Sequence, residues 1–436
     1  MERHHVRAIV RRRDFRRLLT ARVTSQLADG LFQAGLAVSV FFNPTKQIEP
    51  MAYAVAFAML VAPYSVLGPY VGVFLDRWSR RDILAVSNLV RALLVIPAAA
   101  FILGDGPEWS FGVFALLIIT INRFVLAGLS ASQPHVVEPP HLVTANSLAT
   151  TLGTICYGTG LGLSYLVIRL TESFVPGAET LPYGATASLA VPLYAISALV
   201  AWRSFSSTQL GPDETERATD RLLAAIIATA KGMVTGFRHL WQRRGAAYVM
   251  SVQAGHRALY GVLAVFTLAI FRGYFHDPAE AHFGDTLAWL ASIAVAGQAG
   301  SFLAAVVTPG ISRRFGPGRW VASLMTLMIA VVASLGLNLV EPMFVAGTFL
   351  VNIASQSTKI VVDTSLQTSC DDEYRGRLFS LNDTVFNFTF IVGMFTGAAL
   401  LPGDGMAPWL LFATAGGYVL LAGWYWLVSR RHPPYR

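Results

Sequence analysis

Apolar residues run through this chain in blocks of about 20, the length a helix needs to cross a hydrocarbon core, and short polar or basic runs separate the blocks. The pattern predicts membrane-spanning helices at 20–42, 51–75, 83–103, 110–132, 144–170, 183–202, 245–271, 286–309, 319–339, 342–366, 376–400 and 407–429. The segments at 43–50, 104–109, 171–182, 273–285, 341 and 402–405 are short and leave no room for an extracellular catalytic domain. The longest hydrophilic stretch, 203–244, opens with Ser204–Pro212 and an acidic cluster at Asp213, Glu214, Glu216 and Asp220. From Arg221 to Leu240 it turns amphipathic, with Leu222, Ile226, Ala230, Met233 and Phe237 at helical spacing. It reads as a cytoplasmic linker whose helix lies on the membrane surface, a bound partner helix being the alternative. The organisation is then a basic tail at 1–19, a six-helix bundle at 20–202, the linker at 203–244, a second six-helix bundle at 245–429 and a tail at 430–436.

Composition agrees with the pattern. The chain has 436 residues, of which 54% are hydrophobic and 13% charged, against about 25% charged in ordinary soluble proteins. The expected class is an all-α polytopic membrane protein with twelve transmembrane helices in two pseudo-symmetric bundles. The net charge of +8 is distributed by topology. If the spans alternate from a cytoplasmic N-terminus, 26 of the 33 Lys and Arg residues fall on one side, and only Lys46, Arg169 and Arg272 on the other. Basic loops stay cytoplasmic, so both termini are expected inside, in a cytoplasmic membrane, and no nucleic-acid partner is called for. Cys156 lies in a span and Cys370 in a cytoplasmic loop, so no disulfide is expected. No short apolar stretch with a small-residue cleavage site follows the basic N-terminus, and the first span reads as retained.

Three polar landmarks recur at one offset. The basic loop Gly72…Asp76-Arg77-Trp78-Ser79-Arg80-Arg81 is echoed 236 residues later at Ser312-Arg313-Arg314, Arg123 by Lys359 and Asn146 by Asn382. A shared offset implies two copies of one unit, the construction of secondary transporters.

Charge inside hydrocarbon is costly and normally marks a cavity or pathway. Asp29, Arg91, Arg123, Arg257, Lys359, Asp363 and Asp383 fall inside predicted spans. On span 1, Arg22, Gln26, Asp29 and Gln33 form one helical stripe, and Asn352, Gln356, Lys359 and Asp363 repeat its spacing on span 10. Span 7 adds Gln253, His256, Arg257 and Tyr260, and span 4 adds Asn122 and Arg123. Such faces cannot meet lipid and should point inward. Asp29 is the candidate for proton coupling, the alternative being a permanent ion pair with Arg91, Arg123 or Arg257. Lys359 and Asp363, four apart, either neutralise each other or gate. His256 is a cavity wall or a proton carrier. Gly153, Gly158 and Gly162 on span 5 are candidate helix-packing glycines, the last two forming a GxxxG. Aromatic residues such as Tyr53, Tyr64, Phe386, Phe388 and Phe390 read mainly as packing.

Enzymatic signals are missing from the sequence. There is no Walker loop and no His, Cys and acidic cluster with metal spacing, so neither a cofactor nor a metal is expected. The glycosylation patterns at Asn382 and Asn387 sit in a span and carry no weight.

At Gly72…Asp76-Arg77…Arg80-Arg81 the chain resembles the major facilitator superfamily, whose loop between helices 2 and 3 has this motif. Trp78-Ser79 stands where the usual pattern has a variable residue and Gly. Arg123 with Gly128 resembles the helix 4 motif, and the glycines of span 5 resemble the antiporter motif without its Gly-Pro step. Asp371 to Ser380, and Ala145-Asn146-Ser147, resemble bacterial exporters of the enterobactin and macrolide efflux type. The resemblance implies the major facilitator fold and alternating access by two rocking six-helix halves. It also implies a cytoplasmic gate built from Gly72, Asp76, Arg77, Arg80 and Arg81, with Arg313, Arg375, Arg377 and Asp383 on the second half. It makes the expected activity proton-coupled export of a small amphiphilic molecule, drug or siderophore, by a monomer whose partners are substrate, protons and membrane lipids. An importer or lipid mover on the same scaffold, and a non-transporting receptor or assembly factor, are the other readings.

Overall fold

The computed structural model describes residues 9–41, 50–66, 68–104, 106–138, 141–178, 180–212, 222–275, 283–402 and 406–435. Lys46 and the acidic cluster at Asp213, Glu214, Glu216 and Asp220 lie outside them. The described chain is helical: α1 (Arg13–Phe41), α2 (Pro50–Val66), α3 (Gly68–Leu75), α4 (Arg80–Leu103), α5 (Glu108–Ser132), α6 (Leu142–Phe174), α7 (Leu181–Ser188), α8 (Ala190–Ser204), α9 (Leu222–Gln242), α10 (Arg244–Ile270), α11 (Phe283–Phe315), α12 (Pro317–Leu337), α13 (Glu341–Ser369), α14 (Asp372–Leu400) and α15 (Pro408–Arg431). A helix stands at each of the twelve predicted positions, with α2 and α3 sharing 51–75 and α7 and α8 sharing 183–202. Among the described residues nine helices are long and apolar enough to cross a membrane. The first, second and seventh positions fall short of that measure. α1 carries Arg22, Gln26, Asp29 and Gln33, α2 is 17 residues long, and α10 carries Gln253, His256 and Arg257.

The membrane character is legible on single helices. α4 exposes Val86, Leu89, Leu93 and Ile96 and buries Asn88 and Arg91 on its other face. Apolar outside and polar inside is the arrangement lipid demands, because hydrocarbon cannot solvate the polar groups. Ser79 caps this helix by accepting from the Asp82 N–H at 3.4 Å.

The chain divides into two compact units, Met1–Asn43 with Tyr70–Ile226, and Pro44–Pro69 with Ile227–Arg436. In the first, α1 packs on α6, α7 and α8, and α4 packs on α5, α7 and α8. Its cores gather Ala28, Phe32, Val95, Ile118 and Tyr194 at one level and Phe15, Leu84, Val125, Leu129 and Leu210 at another. In the second, α10 packs on α13, α14 and α15, α11 on α13, and α12 on α13 and α15. The pairings α1–α6, α1–α8 and α4–α8 recur as α10–α14, α10–α15 and α12–α15, the relation two copies of one unit produce. α2 belongs to the second unit, since it packs on α14 and α10, whereas the sequence puts its residues in the first bundle.

Candidate functional site

In the first unit the polar centre forms around Arg91. Its side chain is fully buried and ion-paired with Asp29. One guanidinium nitrogen donates to Ser25 Oγ at 3.0 Å and to Asn88 Oδ1 at 3.1 Å, and the other donates to Tyr194 Oη at 2.7 Å. Tyr194 in turn donates to Asp29 Oδ1 at 2.7 Å, and its ring lies 4.0 Å from the guanidinium carbon. Asp29 Oδ2 is buried and has no hydrogen-bond partner among the described residues. The centre ties α1 to α4 and α8. Of the three arginines the sequence offered to Asp29, the structure selects Arg91.

The span 1 stripe divides between neighbours. Gln33 accepts from Tyr157 Oη at 2.7 Å. Gln26 and Arg22 lie against Gly153 of α6, so close that a Cβ there would stand 3.0 Å from Arg22 Nε. Asn122 is buried on α5 with Oδ1 unpartnered, and Arg123 is half-buried beside it. Thus Gln26, Gln33 and Arg22 face α6, while Asp29 faces α4 and α8.

In the second unit two clusters form. Gln253 donates to Asn382 Oδ1 at 2.9 Å and Asn382 donates to Asp363 Oδ1 at 3.3 Å. Lys359 lies 3.8 Å from Asp363 and donates to Asp383 Oδ1 at 2.9 Å. Lys359 therefore bridges two carboxylates, and Asp383, assigned to the gate by the sequence, is part of this cluster. The second cluster surrounds Arg257, whose guanidinium stands 3.9, 4.3 and 5.3 Å from the rings of Phe386, Phe390 and Tyr260. Its Nε donates to the Phe386 carbonyl at 3.3 Å. A desolvated cation over three ring faces takes its compensation from their quadrupoles. Tyr260 Oη accepts from Asn352 at 3.1 Å, and His256 Nδ1 is 3.0 Å from Tyr418 Oη. Gln356 is partly buried on α13. Ser25, Asn88, Tyr194, Tyr418 and Asn382 complete these clusters without having been candidates.

No family model matches the sequence. An uncharacterized MFS-type transporter of Mycobacterium tuberculosis is 37% identical over 429 residues, covering 97% of this chain and 92% of that protein. The chain belongs to the major facilitator superfamily. This MFS chain is also 21% identical over 382 residues to Macrolide efflux protein A of Streptococcus pyogenes, covering 86% of each. Among solved structures, nucleoside transporter NupG matches with a TM-score of 0.67 at 14% identity, over 94% of this chain and 98% of that one. A bacterial homolog to the human lysosomal transporter Spinster, inward-facing and unoccupied, matches with a TM-score of 0.63 at 14% identity, over 95% and 96%. These two likenesses concern the fold alone. The family is one of transporters, and the MFS chain is not an enzyme.

The superfamily's loop motif is well defined locally. Gly72 and Asp76 are exposed, and Arg77 donates to the Val73 carbonyl at 2.8 Å. Arg80 is buried and donates to the carbonyls of Ala131 at 3.1 Å and Leu210 at 3.4 Å, with His135 Nε2 at 2.7 Å. Its own N–H donates to the Gly211 carbonyl at 3.0 Å. Arg80 therefore fastens the end of α5 and the segment after α8 to the start of α4. Arg81 pairs with its neighbour Asp82 at 2.5 Å. Arg313 is exposed at the end of α11 and Arg377 lies along α9. The Arg375 side chain lies outside the described ones.

The glycine assignment needs correction. Among the described residues a Cβ on Gly158 or Gly162 would meet nothing within 4 Å, so no described neighbour packs closely on the GxxxG of α6. The close helix approach is made by Gly160, two residues from each and on the opposite face of the helix, about 160° around the wheel, against Gly30 of α1. Gly393 of α14 and Gly261 of α10 make the corresponding approach in the second unit. Their recurrence at nearly the repeat offset was the signal available in the sequence.

Proposed function

We propose that this MFS transporter exports a small amphiphilic molecule, of drug or siderophore type, across the cytoplasmic membrane in exchange for protons. It works by alternating access as a monomer, with both termini in the cytoplasm. The observation that carries the proton step is Asp29, a buried carboxylate with one oxygen held by Arg91 and Tyr194 and the other without a partner among the described residues. A proton on that free oxygen would remove the anion that holds Arg91 and change what ties α1 to α4 and α8. The Lys359 cluster, with Asp363 and Asp383, supplies a second protonatable group at the corresponding level of chemistry. The relative named Macrolide efflux protein A supports export of an amphiphile.

The test is proton flux in proteoliposomes with an imposed pH gradient and an internal pH dye, against a panel of macrolides, dyes and siderophores. Substrate-dependent proton flux in the wild type, lost in Asp29→Asn while substrate binding persists, is the expected result. Substrate movement with no proton flux would overturn the coupling. Trapping of labelled lipid analogues between leaflets, with no response to the panel, would overturn the substrate class.

A further inference from the structure

α9 presents two different faces. Gly232, Gly236, His239 and Leu240 are buried on one of them. Gly232 and Gly236 lie along the Arg377 side chain, where a Cβ on Gly232 would come within 3.1 Å of Nε. The His239 ring stacks on Tyr374 at 4.4 Å and 7° between planes, and Arg243 donates to Asp371 at 2.9 Å. This face therefore grips the first turn of α14 and the residue that precedes it.

The other face is apolar, and no described residue covers it. Leu223, Ile227, Val234, Phe237 and Trp241 recur four, seven, three and four residues apart along one line, and are 69, 46, 54, 46 and 48% exposed. At about 100° per residue this line is opposite Gly232 and Gly236, and Lys231 and Arg238 stand roughly 60–80° to one side of it. Both are exposed, as is Arg244 at the helix end, and no acidic residue occurs between Leu222 and Arg244. An uncovered apolar stripe of this size on a soluble surface is a docking site. The occupant is decided by charge and by position. The flanking charges are all of one sign, and α9 runs directly into α10, whose start at Arg244 enters the bundle. An apolar stripe ending in Phe237 and Trp241 and flanked by basic residues is the composition of a helix lying in the headgroup layer of an anionic leaflet.

We propose that α9 is a lipid-binding element. Its stripe beds in the cytoplasmic leaflet, Lys231 and Arg238 take the phosphates of anionic phospholipids, and its back face thereby holds the entry of α14 at a fixed depth. The inference is independent of the substrate reading, and its test involves no transport.

A spin label on Val234→Cys, in a background with Cys156→Ala and Cys370→Ala, reports depth in nanodiscs. One set holds phosphatidylglycerol mixed with phosphatidylcholine and the other phosphatidylcholine alone. With phosphatidylglycerol the label should be accessible to oxygen and shielded from a water-soluble nickel chelate. That contrast should fall at least severalfold in phosphatidylcholine alone and in Lys231→Gln/Arg238→Gln, a pair of exposed substitutions that leaves the packed face intact. Accessibility to the chelate in the anionic bilayer would overturn the proposal and assign the stripe to a cytoplasmic protein. Dipolar broadening between labels would assign it to a second copy of the chain. Equal depth in both bilayers would remove the anionic-lipid part.

Discussion

Gly160 rests against Gly30 where α6 crosses α1, and a Cβ on Gly160 would stand 3.0 Å from the Gly30 Cα and closer still to the Leu27 carbonyl. The same crossing is built in the second unit, where a Cβ on Gly393 would lie 2.9 Å from the Ala258 Cα. At such distances the obstacle is backbone, which cannot rotate away. Gly160→Val and Gly393→Val are expected to force the helices apart and lower the thermal midpoint in detergent, at a cost of about 1–3 kcal/mol or more for overpacking. Gly158→Ala and Gly162→Ala should leave it unchanged or slightly raised, since a Cβ there meets nothing and Ala favours the helix. Equal loss in both pairs would mean that the approach is made elsewhere on α6.

The Asp29–Arg91 pair makes a prediction about stability that is separate from transport. Removing one partner leaves a buried charge without compensation, at about 3–5 kcal/mol, whereas replacing both by apolar residues of similar size is often close to neutral. Asp29→Leu and Arg91→Leu should each destabilise more than the double substitution does. Arg91→Leu should be the worse, because Ser25, Asn88 and Tyr194 lose a partner with it. Thermal unfolding of the four proteins in one detergent gives the cycle, and strict additivity would show that the two side chains act independently.

The helices were legible in the sequence because a span is a composition as much as a pattern. All twelve positions came from apolar runs, including α1 and α10, whose polar residues dilute their hydropathy. Charge placement was legible in part. The charged residues could be located and the pairing of Lys359 with Asp363 offered, but the partner of Asp29 could not be chosen, because it had three arginines within the same class of environment and only the packing of the helices selects Arg91. Arg80 was legible only as part of a loop motif that the family resemblance assigns to a gate, while the contacts that make it a fastening for Ala131, Leu210 and His135 come from residues 51 to 130 positions away. The packing glycine lay on the face of α6 opposite the GxxxG. GxxxG spacing marks a smooth surface, not which surface finds a neighbour.

Arg80 accordingly predicts a structural phenotype. Arg80→Ala leaves the carbonyls of Ala131 and Leu210 without their charged donor, and hydrogen bonds to charged groups contribute about 1.5–3 kcal/mol. A lowered thermal midpoint is expected, with faster hydrogen exchange in 205–212. Arg81→Ala, which removes a partly exposed pair with the adjacent Asp82, should change neither.

Glu138, after α5, hydrogen-bonds and ion-pairs with Arg12, and the guanidinium holds its carboxyl below the usual carboxylate range. The folded value lies below the unfolded one, so the contribution is present above the ordinary carboxylate value of 4.5 and is lost as the pH falls through the depressed value. Hydrogen exchange in 9–16 should therefore quicken as the pH is lowered below that window, relative to the intrinsic rate. Glu138→Gln should show the quickened exchange already at neutral pH and no further acid step. An acid step that survives in Glu138→Gln would place the responsible group elsewhere.

The residues after α15 close the second unit as a strap. The Pro434 carbonyl accepts from Ser365 Oγ at 2.7 Å and from Ser369 Oγ at 3.1 Å, both on α13. The Pro433 carbonyl packs on Gly245 at the start of α10, and Pro434 lies against Gly318 of α12. The His432 ring meets Tyr248 at 5.6 Å, and Tyr435 lies against Ser312 of α11 and Thr364 of α13, its phenol pushed above the ordinary value by burial. One short segment thus touches α10, α11, α12 and α13. Two hydrogen bonds at about 1 kcal/mol each, with the Tyr435 ring, make deletion of residues 432–436 destabilising by roughly 2–4 kcal/mol. Gly245→Val removes the seat of Pro433 and should cost a similar amount for the same reason. Because both act through the strap, the deletion combined with Gly245→Val should be no worse than the deletion alone, a failure of additivity measurable in thermal midpoints. Additive losses would show that Gly245 serves the start of α10 itself, and an unchanged midpoint on deletion would show that the strap rides on the bundle without holding it.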